Sequence, residues 1–289
     1  MKQELIEFET NDGLTLDGLL FTPKTKSTKT VIHVHGQSDN FYQRSFIKPL
    51  AQMFTNNGFN FISFNNRGHG NYSYVMKNRR TLYTGSYNEL FEESFLDIEA
   101  AINYCYTFNT DEIILSGHSM GASKIMNYYF ERQANNIKSL ILLAPCDAIK
   151  KHQQLMQELY DDFIIKAKEL VKEDNGNKEL YSPVLFPRTY TAKSFLNNFL
   201  ENTPCDIYRY RDSEYIDKRM QDIKIPILIE IGTNDQMAFI SEEDDITPFF
   251  KRNLTTTYKI EFIEGSKHSF YNFEKELVKN IELFIKENK

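Results

Sequence analysis

EIILSGHSMGASKIMNYYFER, residues 112–132, reads as three things in a row: a short apolar run, the turn Gly117-His118-Ser119-Met120-Gly121, and a segment with helical spacing. A strand that bends sharply into a helix lifts a serine out of a sheet edge. Such a bend needs small residues two positions to either side of the serine, where larger side chains would strike neighbouring strands. The helix that follows points its partial positive charge at any oxyanion formed beside the serine. The pentapeptide alone is a weak signal, and its placement between strand and helix gives it meaning.

Outward from the turn the same rhythm continues. Upstream lie TVIHVHG (30–36), an amphipathic segment 45–54 closed by Asn57-Gly58, NFISFNN (60–66), and a helical pattern over 89–106 built on Leu90, Phe91, Phe95, Ile98, Ala101, Ile102 and Cys105. Downstream come SLILLAP (139–145), IPILIEIG (225–232), YKIEFIEG (258–265) and a closing amphipathic helix over 272–286. Strands apolar throughout, alternating with helices, predict a mainly parallel sheet covered on both faces. Residues 3–22, two runs around Asn11-Asp12-Gly13, predict a hairpin. The alternation breaks between 147 and 222, where Leu155, Leu159, Phe163, Ala167 and Leu170 recur at helical spacing and Gly176 offers a stop. The expected organisation is a core of residues 1–146 and 223–289 with an inserted helical cap, or lid, over 147–222.

Composition narrows the function classes. The 289 residues, 41% hydrophobic and 26% charged, match an ordinary globular chain, and a formal charge of -6 opposes a general role at nucleic acid or anionic membrane. No run approaches the ~18 apolar residues of a bilayer span. No secretory leader is read at Met1, and Cys105, Cys146 and Cys205 suggest neither a disulfide framework nor a zinc site, so a cytoplasmic address without a metal is expected.

A serine hydroxyl needs a base in hydrogen-bond reach and a carboxylate to orient that base. With a nucleophile on such a bend, acid and histidine follow in chain order. His268, in EGSKHSF after a strand, is the base candidate. Asp235, in GTNDQ after IPILIEIG, is preferred as the acid, with Asp147 after LILLAPC as its competitor. The backbone N–H groups of Met120 and of Gln37, in the loop after TVIHVHG, are candidates for the oxyanion hole. His33 is expected to pack within its strand, His118 to brace the bend, and His69 to hold its own loop.

The motifs HGQSDN (35–40), NNRGHG (65–70), GHSMG (117–121), GTNDQ (232–236) and GSKHSF (265–270), in that order, resemble the α/β-hydrolase superfamily. The resemblance is to its capped serine esterases and acyl hydrolases, such as cinnamoyl and feruloyl esterases and bacterial carboxylesterases. It implies the α/β-hydrolase fold, a mainly parallel eight-stranded sheet flanked by helices, with the lid inserted after the sixth strand. The expected activity is hydrolysis of a carboxylic ester of a small or medium apolar or aromatic acyl group through an acyl-enzyme, without a cofactor. A thioesterase or small-peptide hydrolase would use the same groups, and an idle ligand-binding member of the fold is the alternative outside the enzymes. Leu155, Met156, Phe163, Phe195 and Phe199 of the lid are the candidates for an acyl pocket. The expected partner is a small acyl ester, and the oligomeric state stays open, a homodimer included.

Overall fold

A computed structural model describes residues 1–132, 134–181, 184–185, 188–236 and 243–288. Alternating apolar and polar side chains pair β1 (Lys2–Glu9) with β2 (Leu14–Thr22) as an antiparallel hairpin, Leu5 opposite Leu19. The chain then enters β3 (Lys29–Val34), α1 (Ile47–Asn56) and β4 (Asn60–Phe64). A second hairpin follows, β5 (Ser73–Lys77) and β6 (Arg80–Thr84), before α2 (Ser94–Tyr106), β7 (Glu112–His118), α3 (Met120–Arg132) and β8 (Ile137–Leu143). The insertion carries α4 (Ala148–Met156), α5 (Leu159–Lys172), β9 (Glu179–Leu180), β10 (Tyr190–Thr191), α6 (Ala192–Phe199) and the short α7 (Lys218–Gln221). The body closes with β11 (Ile227–Gly232), α8 (Glu243–Asn253), β12 (Tyr258–Ile263) and α9 (Glu274–Glu287).

The main sheet runs β12-β11-β8-β7-β3-β4-β2-β5-β6, with β1 on β2, and its six strands from β12 to β4 are parallel. From β3 the chain steps first to β4 on one side and later to β7 on the other. This reversal makes the carboxyl ends of β3 and β7 the switch point, where open α/β sheets bind ligands. Helices cover both faces: Ile98, Ile125, Met126, Phe249 and Phe250 build the core on one side, and Leu50, Phe54, Ile281 and Phe284 the core on the other.

All eight expected strands are present, and the hairpin β5–β6 adds two that periodicity did not suggest. Its residues are mostly exposed, so no apolar alternation marks it. The lid differs from its reading as well. The helical stripe expected from Leu155 to Leu170 is interrupted at Gln157, whose φ of +50° ends α4 and resets the phase of α5. Leu155 and Leu159 therefore face outward. Ile207, Tyr208, Tyr210 and Met220 pack with Phe249 and Phe250 in the body core, so the end of the 147–222 insertion lies against the body rather than over it.

One core residue breaks the apolar pattern. Glu230 on β11 is fully buried, one oxygen accepting from Asn280 Nδ2 at 3.3 Å and the other without a partner. Burial pushes its carboxyl well above the usual glutamate range, so the folded protein keeps this proton to a higher pH than the unfolded chain does. The unfolded chain releases that proton above ~4.3, and stability from this group falls as pH rises through that window toward the raised folded value. Glu230→Gln should therefore melt higher than the wild type near neutral pH and converge with it below about pH 4. Melting curves between those limits check the sign.

Candidate active site

The bend is built as the sequence requires. Ser119 sits at φ +55°, between the end of β7 and the first turn of α3, and its N–H donates to the Leu143 carbonyl at 2.8 Å. A left-handed serine is strained, and it persists because its surroundings leave no other conformation. A Cβ on Gly121 would come within 2.2 Å of the Val34 carbonyl oxygen, so α3 lies against β3 only because this residue has no side chain. Gly36, just after β3, is also tight against the bend: a Cβ there would lie 2.9 Å from Ser119 Cβ. That contact sets Gln37 beside the serine.

His268, in the loop after β12, turns Nδ1 to Asp235, 2.9 and 2.8 Å from its two carboxylate oxygens. Asp235 follows β11, the strand paired with β12, and its carboxylate is buried. A carboxylate only accepts, so Nδ1 carries a proton, and in the neutral ring that leaves the lone pair on Nε2. Asp147 is engaged elsewhere. It is the N-cap of α4, accepting the Lys150 N–H at 2.9 Å, and it lines a separate cavity of about 440 Å³ with Asp206 and Arg209. Its carboxyl is pushed up to about 6, chiefly by burial and then by Asp206.

Ser119, His268, Gln37 and Met120 line one cavity of about 90 Å³. The Ser119 hydroxyl lies 3.9 Å from the Cys146 thiol, and catalytic contacts in unliganded sites are commonly long and tighten with substrate. Burial first, and then the Asp235 charge, pushes Cys146 up to about 12, so it remains a neutral thiol. Met120 opens α3, where N–H groups have no partner within the helix. His118 is neutral, its pKa driven down by burial first and then by His268, and its Nε2–H donates to the His268 carbonyl at 2.9 Å. It braces the base loop. His35 accepts the Asn66 N–H on Nε2 at 3.1 Å and faces the Gly36 carbonyl with Nδ1, tying the Gln37 loop to the Asn66 loop. His33 packs within β3 on Ser116, and His69 spans its own loop from the Asn66 carbonyl to Ser73.

Of the five lid candidates, the structure brings only Phe199 to this cavity, stacked on His152 with ring centroids 3.7 Å apart. Met156, Phe163 and Phe195 are buried in the lid's own core, Phe163 and Phe195 with centroids 4.7 Å apart, and Leu155 is exposed. Helical spacing marked them as apolar but not which side of each helix faces the serine. Phe195→Ala should therefore act on stability, costing about 3–5 kcal/mol as large core truncations do. Phe199→Ala, equally buried in the same cluster, should carry a comparable stability cost and in addition, if the site takes an acyl group, extend the length accepted, shifting relative rates about ten-fold. Melts and an acyl-chain panel on both variants separate the two effects.

Several residues at the site carried no readable signal. Lys151 and Arg188 line the cavity from the lid, and Arg44 lines it from the loop before α1. Arg188 lies in an aperiodic stretch, and Lys151 looks like one of many helix-surface lysines. Under the bend, Lys124 of α3 forms a fully buried ion pair with Glu89, whose carbonyl accepts from Ser194 Oγ at 2.8 Å and Asn198 Nδ2 at 2.9 Å of α6. This pair links the nucleophile helix to the lid.

Residues 25–276 match the family described as serine aminopeptidase, S33. The AB hydrolase superfamily protein YisY of Bacillus subtilis (strain 168) is 24% identical over 273 residues, covering 91% of this chain and 93% of its own. Among solved structures, Est1E from Butyrivibrio proteoclasticus with bound ferulic acid superposes with a TM-score of 0.67 at 18% identity, over 97% of this chain and 98% of that one. The Pyrococcus furiosus esterase Pf2001 gives 0.63 at 17% identity, over 99% and 91%. With the reversal of strand order at β3 and β7 and a family match over most of its length, the chain belongs to the serine aminopeptidase S33 family of α/β-hydrolases.

Proposed function

We propose that this protein is a serine hydrolase that cleaves a carboxylic ester of a small acyl group through a covalent acyl-enzyme. The observation that carries the reading is the His268–Asp235 pair facing the cavity that holds the strained Ser119. His268 Nε2 takes the hydroxyl proton as Ser119 attacks the carbonyl, and Asp235 holds the imidazole and stabilises its charge. The Met120 and Gln37 amides receive the oxyanion. The alcohol leaves with the proton from His268, and water then hydrolyses the acyl-enzyme by the same route. A cavity of about 90 Å³, well below the ~300 Å³ of drug-sized pockets, favours small acyl groups.

Hydrolysis of an amino-terminal peptide bond is the competing reading within the family's description. It is disfavoured by the lining: a substrate ammonium would meet Lys151 and Arg188, and the one carboxylate among the described lining residues, Asp39, is already paired with Arg44 at 2.5 Å. A fluorophosphonate probe tests the proposal. The folded chain should be labelled at Ser119, mapped by mass spectrometry, and protection from the probe in a native preparation would refute it. Because Gln37 acts through its backbone, Gln37→Ala should keep kcat/KM within about ten-fold of wild type, far from the loss at Ser119. A collapse matching that of the serine variant would assign the Gln37 side chain a role.

A further inference from the structure

We infer that the substrate carries a carboxylate a few atoms from the scissile carbonyl, held by Arg188 and Lys151 of the lid; this rests on the hydrolase reading above. Among the described residues three cations line the Ser119 cavity, and they are not equivalent. Arg44 is answered by the buried Asp39. Lys151, half-buried on α4, donates to the Gln236 carbonyl at 3.2 Å and feels Asp235, which is committed to His268. Arg188, just before β10, has no carboxylate within ion-pair distance among the described residues.

Arg188 is close enough to disfavour the Lys151 charge. Burial lowers the Lys151 pKa first, and Arg188 adds to that effect against the pull of Asp235. A guanidinium held at a small cavity with no carboxylate beside it among the described residues is costly without an anion. The protein as a whole bears a formal charge of -6, so this positive mouth is a local construction. Phe199, Ala148 and Met120 supply the apolar wall along which a short chain would run from carbonyl to carboxylate. Arginine is the side chain whose planar fork matches a carboxylate with two parallel hydrogen bonds.

The experiment uses two ester pairs matched in shape. In one the charge is on the acyl side, ethyl hydrogen glutarate against ethyl 5-methylhexanoate. In the other it is on the alcohol side, carboxymethyl butyrate against isobutyl butyrate. The anionic member of one pair should show kcat/KM higher by about ten-fold or more, as a charged hydrogen bond supplies, and the pair that does so locates the carboxylate. That ratio should fall toward unity in Arg188→Gln, fall partly in Lys151→Gln, survive largely in Arg188→Lys, and shrink at about 0.5 M salt. Calorimetric binding of the anionic esters to the Ser119→Ala protein, with and without Arg188→Gln, reads the same contact without turnover. Equal rates within both pairs, or a ratio unchanged in the Arg188→Gln/Lys151→Gln double variant, would overturn the carboxylate site and leave the hydrolase intact. Arg188-dependent binding without turnover of any ester would instead fail the hydrolase reading alone, and neither turnover nor binding would overturn both.

Discussion

Ser119→Ala should lower kcat/KM on an activated ester by about 10³-fold or more and abolish fluorophosphonate labelling, while the melting temperature stays near that of the wild type. The stability side follows from position. Ser119 is half-exposed at the bend and, among the described residues, its hydroxyl has a hydrogen-bond contact only with the Cys146 thiol at 3.9 Å, so truncation leaves no buried partner there unsatisfied. Alanine at φ +55° keeps the strain of the bend, whereas Ser119→Gly would release it and should raise the melting temperature, although equally inactive. A strained residue whose removal stabilises the fold is being held there for chemistry. Turnover near wild type in protein free of contaminating esterase would reject Ser119 as the nucleophile.

The second large effect is expected at the acid. Asp235→Asn should cut kcat by about 10³- to 10⁴-fold, because an amide at that position offers His268 Nδ1 a donor as readily as an acceptor and permits the wrong tautomer. Asp147→Asn should leave kcat within a few fold. Asparagine caps helices as well as aspartate does, so α4 keeps its N-terminal hydrogen bond from Lys150 and the lid stays in place. The pair is a sharp comparison because both carboxylates follow adjacent parallel strands, β11 and β8, and differ only in where their side chains reach. The reverse ranking would move the orienting role to Asp147.

Several parts of the molecule were legible locally. The strand-bend-helix of residues 112–132 is specified within itself: apolar β-branched residues before the turn, glycines where α3 must meet β3, and helical spacing after it. His268 could be found because a base is required and one histidine follows the insertion. The brace made by His118 could be expected only in outline, since its partner, the His268 carbonyl, lies 150 residues away in sequence. Separation in sequence, here 35 residues, also hides the Lys124–Glu89 pair, where a buried lysine and a buried glutamate each read alone as surface residues.

What the sequence by itself determined is the alternation of strands and helices, the bend that carries Ser119, and the chain order of Ser119, the two candidate carboxylates and His268. The first two rest on short-range periodicity and turn chemistry, and the third on the order of the motifs along the chain. Only the tertiary structure decided which of Asp235 and Asp147 meets His268, since that depends on β11 lying beside β12 and on α4 claiming Asp147 as its cap. It also decided that Phe199 alone of the five lid candidates reaches the serine, because the left-handed Gln157 resets the helix phase and the inward face of each lid helix is set by what it packs on. Arg188 and Lys151 became neighbours of the site for the same reason: a half-buried cation acquires its meaning from the groups folded around it, and Ser119, Gln37 and His268 are all far from both in the chain.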